Sequence, residues 1–450
     1  MHTILLSVGT ELTDGSIVDT NAAWLARTLS ASGYEIIEQV AVSDDQHRLE
    51  RTLSRVASEA RLVVMTGGLG PTVDDRTRPA VAAAFGLSWR VETEVRDAKQ
   101  AERRLRYGPD APPLVEAQFW TPEPAGQVLR NSVGIASGFL VPVLPRADEE
   151  PTWLAVLPGV PAEMKAMTEA ELLPALQTVL APTTSVVSRV WRFAGIPESE
   201  LNDRLGNLLD EAPGDPHTLA GRRVTRITGD ESGGGLTVGV RLWTPDTSAA
   251  VDTLDAWEQE ARRRIGVRLL GTADRSLAAH VVSRLAEKRW TVGLAESCTA
   301  GLATHLLGAV PGVSAQLLES VVTYSNEAKV ARTGVSETTL QEHGAVSASV
   351  AAEMAVGWRA AARVDLAVSI TGIAGPDGGS EEKPVGLVWF GVASPDGRVV
   401  TGSQIFPGDR AQIQLRAAQH ALFLIYLTIL GEPIPSRHPT GGERESRSQP

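Results

Sequence analysis

The sequence predicts a multidomain α/β protein, and three observations carry that expectation. Apolar residues switch between continuous strand-length runs and helical spacing towards both ends of the 450-residue chain. Gly-rich turns follow the strand-like runs, as in sheets of parallel strands with helices on both faces. The length, at about 150 residues per domain, sets a prior of about three domains. Hydrophobic residues make up 43% and charged residues 21%, so the composition is that of a globular chain with several cores.

Residues 3–8 read as a buried strand running into the polar turn GTELTDG. Trp24, Leu25 and Leu29 give 21–32 a helical face, 34–42 is β-rich, and Leu49, Leu53 and Val56 line a helix at 46–59. A short strand at 62–65 ends in Gly67-Gly68-Leu69-Gly70-Pro71, and a helix resumes at 77–85. From 123 to 161 the chain is Pro/Gly-rich and strand-like, and 161–179 is helical with Met164, Met167, Leu172 and Leu176. Strands at 184–193 and 235–243 surround a helix at 198–209, with a flexible turn at 229–235. The last section reads as helix 277–288, strand 291–294, a small-residue turn 295–301 opening a helix to 310, and strand 318–324. An Ala-rich helix at 349–362, strands at 365–371, 385–393 and 399–406, and a long helix at 410–430 complete it. The polar tail SRHPTGGERESRSQP is expected to be disordered.

Charge and composition remove several functions. With 42 Lys+Arg against 54 Asp+Glu and a net charge of -12, direct nucleic-acid binding is not expected, because phosphate neutralisation needs clustered cations. Cys298 is the single cysteine, and the eight His form no HExxH pattern, which excludes disulfide frameworks and Cys-based zinc sites. No uninterrupted apolar run approaches the roughly 20 residues that span a bilayer. The start MHTILLSVGTEL reads as a strand rather than a leader, so a cytoplasmic enzyme without a membrane partner is expected.

Four segments carry candidate chemistry. In Ala295-Glu296-Ser297-Cys298-Thr299-Ala300-Gly301, a nucleophile at Ser297 would face N–H groups near Thr299–Gly301 that can receive an oxyanion. The plainer reading is that Ser297 or Thr299 caps the following helix. Tyr324 and Lys329 offer a phenol and an amine, groups able to activate a serine where no histidine is near. Gly375, Gly378, Gly379 and Lys383 form a loop suited to wrapping a ligand, and Arg410 starts a helix where a phosphate can bind. Near the N-terminus, GTELTDGSIVDTN and TGGLGPTVDDRT each follow a strand. Their backbone can cradle a diphosphate while Asp74 and Asp75, joined by Asp44 and Asp45, hold a divalent cation; the alternative is a capped helix after a plain turn.

AESCTAG, VVTYSNEAK, HGAVS and SITGIAGPDGGSEEKPVG, in that order, resemble the nicotinamide-nucleotide amidase family, which also forms the C-terminal domain of CinA (competence/damage-inducible) proteins. The resemblance covers about 277–430. It implies metal-free and cofactor-free hydrolysis of nicotinamide mononucleotide (NMN) to nicotinate mononucleotide and ammonia. It implies Ser297 as nucleophile in preference to Cys298, and Tyr324 and Lys329 as the proton-handling pair. Thr299, Gly301, Gly375, Gly378, Gly379 and Lys383 would lie around the substrate, with Arg410 on its phosphate. The N-terminal motifs, with PGVPAEMKAM and GIPESELNDRL, resemble the molybdopterin-binding-like domain of the same family. This implies an ADP-ribose pyrophosphatase that uses Mn, Co or Mg, with Asp75 as metal ligand and Glu11, Asn21, Gly68, Gly70 and Asp74 around the nucleotide. Asp19 replaces the usual Asn, 116–122 lacks the family's basic residue, and GIASG at 134–138 replaces Gly-Thr-Ala-Pro-Gly.

The expected organisation is a molybdopterin-binding-like parallel-sheet domain at 1–165, a small α+β linking domain at 166–270, an α/β amidase domain at 271–432 and a tail at 433–450. NMN and ADP-ribose are the expected small-molecule partners, and Ala-rich helix faces suggest a homo-oligomer, a dimer. Two alternatives stand beside this: an amidase joined to a non-catalytic nucleotide-binding or oligomerisation module, and an interaction protein of competence or DNA damage.

Overall fold

The computed structural model describes residues 2–72, 74–144, 150–214, 220–229 and 235–434. Most of the expected turn at 229–235 and of the tail at 433–450 lies outside them. The chain forms two compact units, one of Met1–Val187, Glu211–Val224 and Arg241–Asp252, the other of Ser188–Asp210, Thr225–Val240 and Thr253–Pro450. Residues of the 166–270 section belong partly to each.

The first unit holds a six-stranded sheet in the order Glu35–Val42, His2–Val8, Leu62–Thr66, Thr152–Leu157, Gly138–Val143, Gln127–Leu129. The first four strands are parallel and the last two antiparallel. The sheet is therefore mixed rather than wholly parallel, because the links among the last three strands are too short for a crossover helix. Side chains of His2–Val8 alternate between faces. Ile4, Leu6 and Val8 pack with Leu49, Leu53 and Val81, while Leu5 packs with Leu25, Leu29, Met164 and Leu176. The helical run from 161 to 179 contains a π turn at Thr168–Leu172, just before Pro174, which has no N–H for an α-helical bond. The helix Thr93–Tyr107 buries no residue, so it left no apolar stripe in the sequence to predict it.

The second unit holds a five-stranded sheet in the order Leu317–Val322, Val292–Glu296, Leu366–Gly372, Leu387–Ala393, Val399–Ile405. The first three strands are parallel and the others antiparallel. Leu277–Lys288, Leu302–Gly308 and Arg410–Leu430 cover one face, and Ala348–Ala362 covers the other through Val350, Met354 and Trp358. Arg410–Leu430 is long and apolar enough to cross a membrane by length and composition. Ile413, Ala417, Leu424 and Ile425 on it are nevertheless buried in the unit's own core, which makes it a core helix. A further sheet has the order Arg223–Gly229, Leu236–Thr244, Ser185–Phe193, Leu269–Thr272.

Candidate active site

The strand Val292–Glu296 is buried at every position. It runs two residues past the expected end at 294, so Glu296 closes the strand instead of opening the turn. A fully buried carboxylate must find donors or be neutralised. Glu296 finds five: Oε2 accepts from the Thr299 hydroxyl at 2.7 Å, Gly301 N–H at 3.0 Å and Ala303 N–H at 3.2 Å. Oε1 accepts from Thr304 N–H and its hydroxyl, both at 2.7 Å. These include the first N–H groups of the helix Leu302–Gly308, which otherwise lack partners. Thr299 and Gly301 thus spend their side chain and N–H on Glu296, and not on an oxyanion or substrate as expected. Sequence reasoning passed over Glu296; its one signal was an acid ending an apolar run.

Ser297 follows directly. Its N–H donates to the Ile370 carbonyl at 2.9 Å, and its Oγ accepts from Lys329 Nζ at 3.0 Å. Lys329 lies on the helix Asn326–Thr333, capped by Ser325, and is only 2% exposed. Nζ also donates to the carbonyls of Thr323 at 3.0 Å and Tyr324 at 3.4 Å. Burial pushes its pKa below the ordinary 10.5, against the opposing influence of Cys298 and Glu327. An amine so placed can keep two N–H bonds to carbonyls and offer its lone pair to the Ser297 proton. Burial also pushes the neighbouring Cys298 thiol up to about 12, and the Glu296 charge adds to this. Cys298 packs in the apolar core with Leu294 and Ala303.

Tyr324 belongs to a different contact. Its hydroxyl accepts from Arg410 Nη2 at 2.6 Å, and Arg410 Nη1 donates to the Gly375 carbonyl at 2.7 Å. Arg410 is held at its helix start by an Asp409–Gln412 capping box. The structure thus brings Ser297 and Lys329 together, and Tyr324, Gly375 and Arg410 together. It does not put the Tyr324 hydroxyl on Ser297 as a partner of Lys329. Lys383 Nζ donates to the His343 carbonyl at 2.7 Å, tying the Gly-rich loop that contains Gly378 and Gly379 to the end of the helix Glu337–His343.

The helix bearing Lys329 ends against Gly357. A Cβ there would lie 1.7 Å from the Thr333 carbonyl, and backbone cannot yield as a flexible side chain can. Gly357→Ala should therefore cost about 1–3 kcal/mol by overpacking and displace Lys329. A thermal melt together with an activity assay checks both effects; an unchanged melt and rate would contradict this packing.

In the first unit, the loop after Leu62–Thr66 is clasped from within. Asp75 Oδ1 accepts from Gly70 N–H at 2.7 Å, and Oδ2 from Thr72 N–H at 2.8 Å and its hydroxyl at 2.6 Å. Gly68 has φ 64, with Thr77 Oγ1 2.3 Å from where a Cβ would stand. Arg78, which the sequence did not single out, is buried and donates to the carbonyls of Leu69, Gln118, Trp120 and Ser137. Burial pushes its pKa down to about 10. Asn21 Nδ2 donates to the Gly159 carbonyl at 2.7 Å, while its Oδ1 is buried without a hydrogen-bond partner. Glu11 and Asp74 are exposed.

Three further acids are occupied: Asp44 accepts from Thr10, and Asp19 and Asp45 cap helices. Among the described residues no three His, Cys, Asp or Glu side chains gather to hold a metal. Asp75 clasps the loop through three hydrogen bonds that engage both of its oxygens.

Comparison with known proteins agrees with both regions. Residues 274–429 match the CinA C-terminal domain, and residues 4–178 match the family described as "Probable molybdopterin binding domain". A CinA-like protein of Gemmatimonas aurantiaca is 36% identical over 419 residues, covering 93% of this chain and 94% of its own. The chain belongs to the CinA family. A second CinA-like protein, from Salinibacter ruber, is 39% identical over 400 residues, covering 88% and 92% of the two chains. Among solved structures, competence/damage inducible protein CihA from Agrobacterium tumefaciens is 40% identical, covering 34% of this chain and 93% of its own with a TM-score of 0.33. In this CinA family member, the C-terminal match takes in Ser297, Lys329, Tyr324 and Arg410, and the N-terminal match takes in Asn21, the Gly67–Gly70 loop, Asp75 and Arg78.

Proposed function

We propose that this CinA family chain is an amidohydrolase that converts NMN to nicotinate mononucleotide and ammonia. The observation that carries the reading is the 3.0 Å contact between Ser297 Oγ and the buried Lys329 amine. Neutral Lys329 accepts the Ser297 proton as Oγ attacks the carboxamide carbon. The tetrahedral oxyanion needs donors. Within 297–304, the N–H groups of Cys298 and Thr299 are the ones that make no hydrogen bond to another residue among the described residues. Protonated Lys329 then returns its proton to the departing nitrogen, which leaves as ammonia. Water, deprotonated by the same amine, attacks the acyl-enzyme ester, and the amine returns that proton to the departing Ser297 Oγ. Arg410, steadied by Tyr324 and Gly375, supplies a guanidinium suited to the nucleotide phosphate. The test is release of ammonia and nicotinate mononucleotide in equal amounts from NMN by the purified chain, with and without a chelator. No release sinks the reading; release that the chelator stops would point to a metal the scheme does not use.

For the first unit we propose binding of a nucleotide diphosphate such as ADP-ribose. Two features favour it: a Gly-rich loop at the carboxyl end of a parallel strand, where ligands of such sheets lie, and the unpartnered Asn21 Oδ1. Hydrolysis of ADP-ribose has less support, since Asp75 is committed to the loop. ADP-ribose is expected to raise the melting temperature of the wild-type chain without added metal, and Asp75→Ala is expected to lose that shift. AMP release with Mn²⁺, Co²⁺ or Mg²⁺ that is fast in the wild type and absent in Asp75→Ala would restore the pyrophosphatase reading.

A further inference from the structure

We propose that Glu296 is the positioning residue of the nucleophile turn, an inference that rests on the amidohydrolase reading of Ser297. A buried carboxylate near a buried amine has two ways to be satisfied: pair with the amine or collect neutral donors. Glu296 takes the second. All five of its hydrogen bonds come from Thr299, Gly301, Ala303 and Thr304, and no ion pair joins it to Lys329 among the described residues.

Three consequences follow for the chemistry. The turn is closed from both sides of Ser297, by Glu296 behind it and residues 301–304 ahead, while the Ser297 N–H is fixed on Ile370. With the later N–H groups absorbed by Glu296, those that bond to no other described residue fall on the two residues immediately after the nucleophile, where a developing oxyanion would lie. Finally, Lys329 Nζ hydrogen-bonds to the neutral oxygens of Ser297, Thr323 and Tyr324, and no carboxylate touches it among the described residues. Glu296 touches no reacting atom and acts only through this geometry.

Glu296→Gln keeps the size but not the acceptors, since its amide N–H₂ must face either the three donors at Oε2 or the Thr304 N–H at Oε1. The expected result is a kcat for NMN lower by about 10²-fold, similar to losing one oxyanion donor, with KM changed less than about threefold. The apparent pKa of the pH–rate profile should stay at the wild-type value. Labelling of Ser297 by a fluorophosphonate, read by mass spectrometry, should slow by a comparable factor. Thr304→Val removes one of the five donors and should give a smaller loss in the same sense; it carries the test if Glu296→Gln fails a thermal melt.

A folded Glu296→Gln with wild-type kcat and labelling rate overturns the proposal, as does a loss confined to KM. If the wild-type chain labels on Ser297 but releases no ammonia from NMN, the substrate reading fails alone. The labelling comparison then still decides the role of Glu296.

Discussion

Ser297→Ala is expected to abolish ammonia release from NMN, a fall of at least about 10⁴-fold, while Cys298→Ser keeps most of the rate. Intrinsic reactivity would favour the thiol, because a thiolate is the stronger nucleophile. The environment reverses that preference. With its pKa pushed up to about 12 and its sulfur packed in the apolar core, Cys298 carries negligible thiolate near neutral pH. Ser297 instead has an amine on its oxygen. Steady-state assays of both variants, with mass-spectrometric trapping of the acyl-enzyme, distinguish the two; loss in Cys298→Ser with activity kept in Ser297→Ala would move the nucleophile.

Lys329→Met should lower kcat by about 10²–10⁴-fold, the range of a lost general base, with a small effect on KM. The pH dependence has a definite sign. Only the unprotonated amine accepts the serine proton, so the wild-type rate rises with pH through the Lys329 pKa and then levels. Burial places that limb below the ordinary 10.5. In Lys329→Met the limb should vanish, and Lys329→Arg should not restore activity, because a guanidinium stays protonated. A pH–rate profile of Lys329→Met that keeps the rising limb would assign it to another group.

The parts of this site legible in the sequence are those whose chemistry is written in side-chain letters close to a turn. Ser297, Lys329 and Arg410 stand in motifs with distinctive neighbours. Glu296 and Asp75 were harder for one shared reason: most of their partners are backbone N–H groups, which no residue letter announces. Glu296 consequently escaped notice, as did the hydrogen bonds by which the Asp75 oxygens fold the loop around it. The resemblance pairs Tyr324 with Lys329, yet the helix Asn326–Thr333 turns Lys329 inward while the Tyr324 hydroxyl reaches Arg410, 86 residues away. At the level of fold, a continuous apolar run of strand length at 3–8 revealed the strand His2–Val8. The exposed helix Thr93–Tyr107 had no buried stripe to betray it.

The core helix Arg410–Leu430 has a consequence for when the site comes into being. Its middle is apolar nearly all round and is stable only once the five-stranded sheet and its neighbouring helices enclose it. The residue suited to gripping the nucleotide is the first of that helix. Amide hydrogens of its buried turns should therefore exchange with solvent only through global opening. Global opening of the unit would also release Arg410, whose place at the helix start depends on those buried turns.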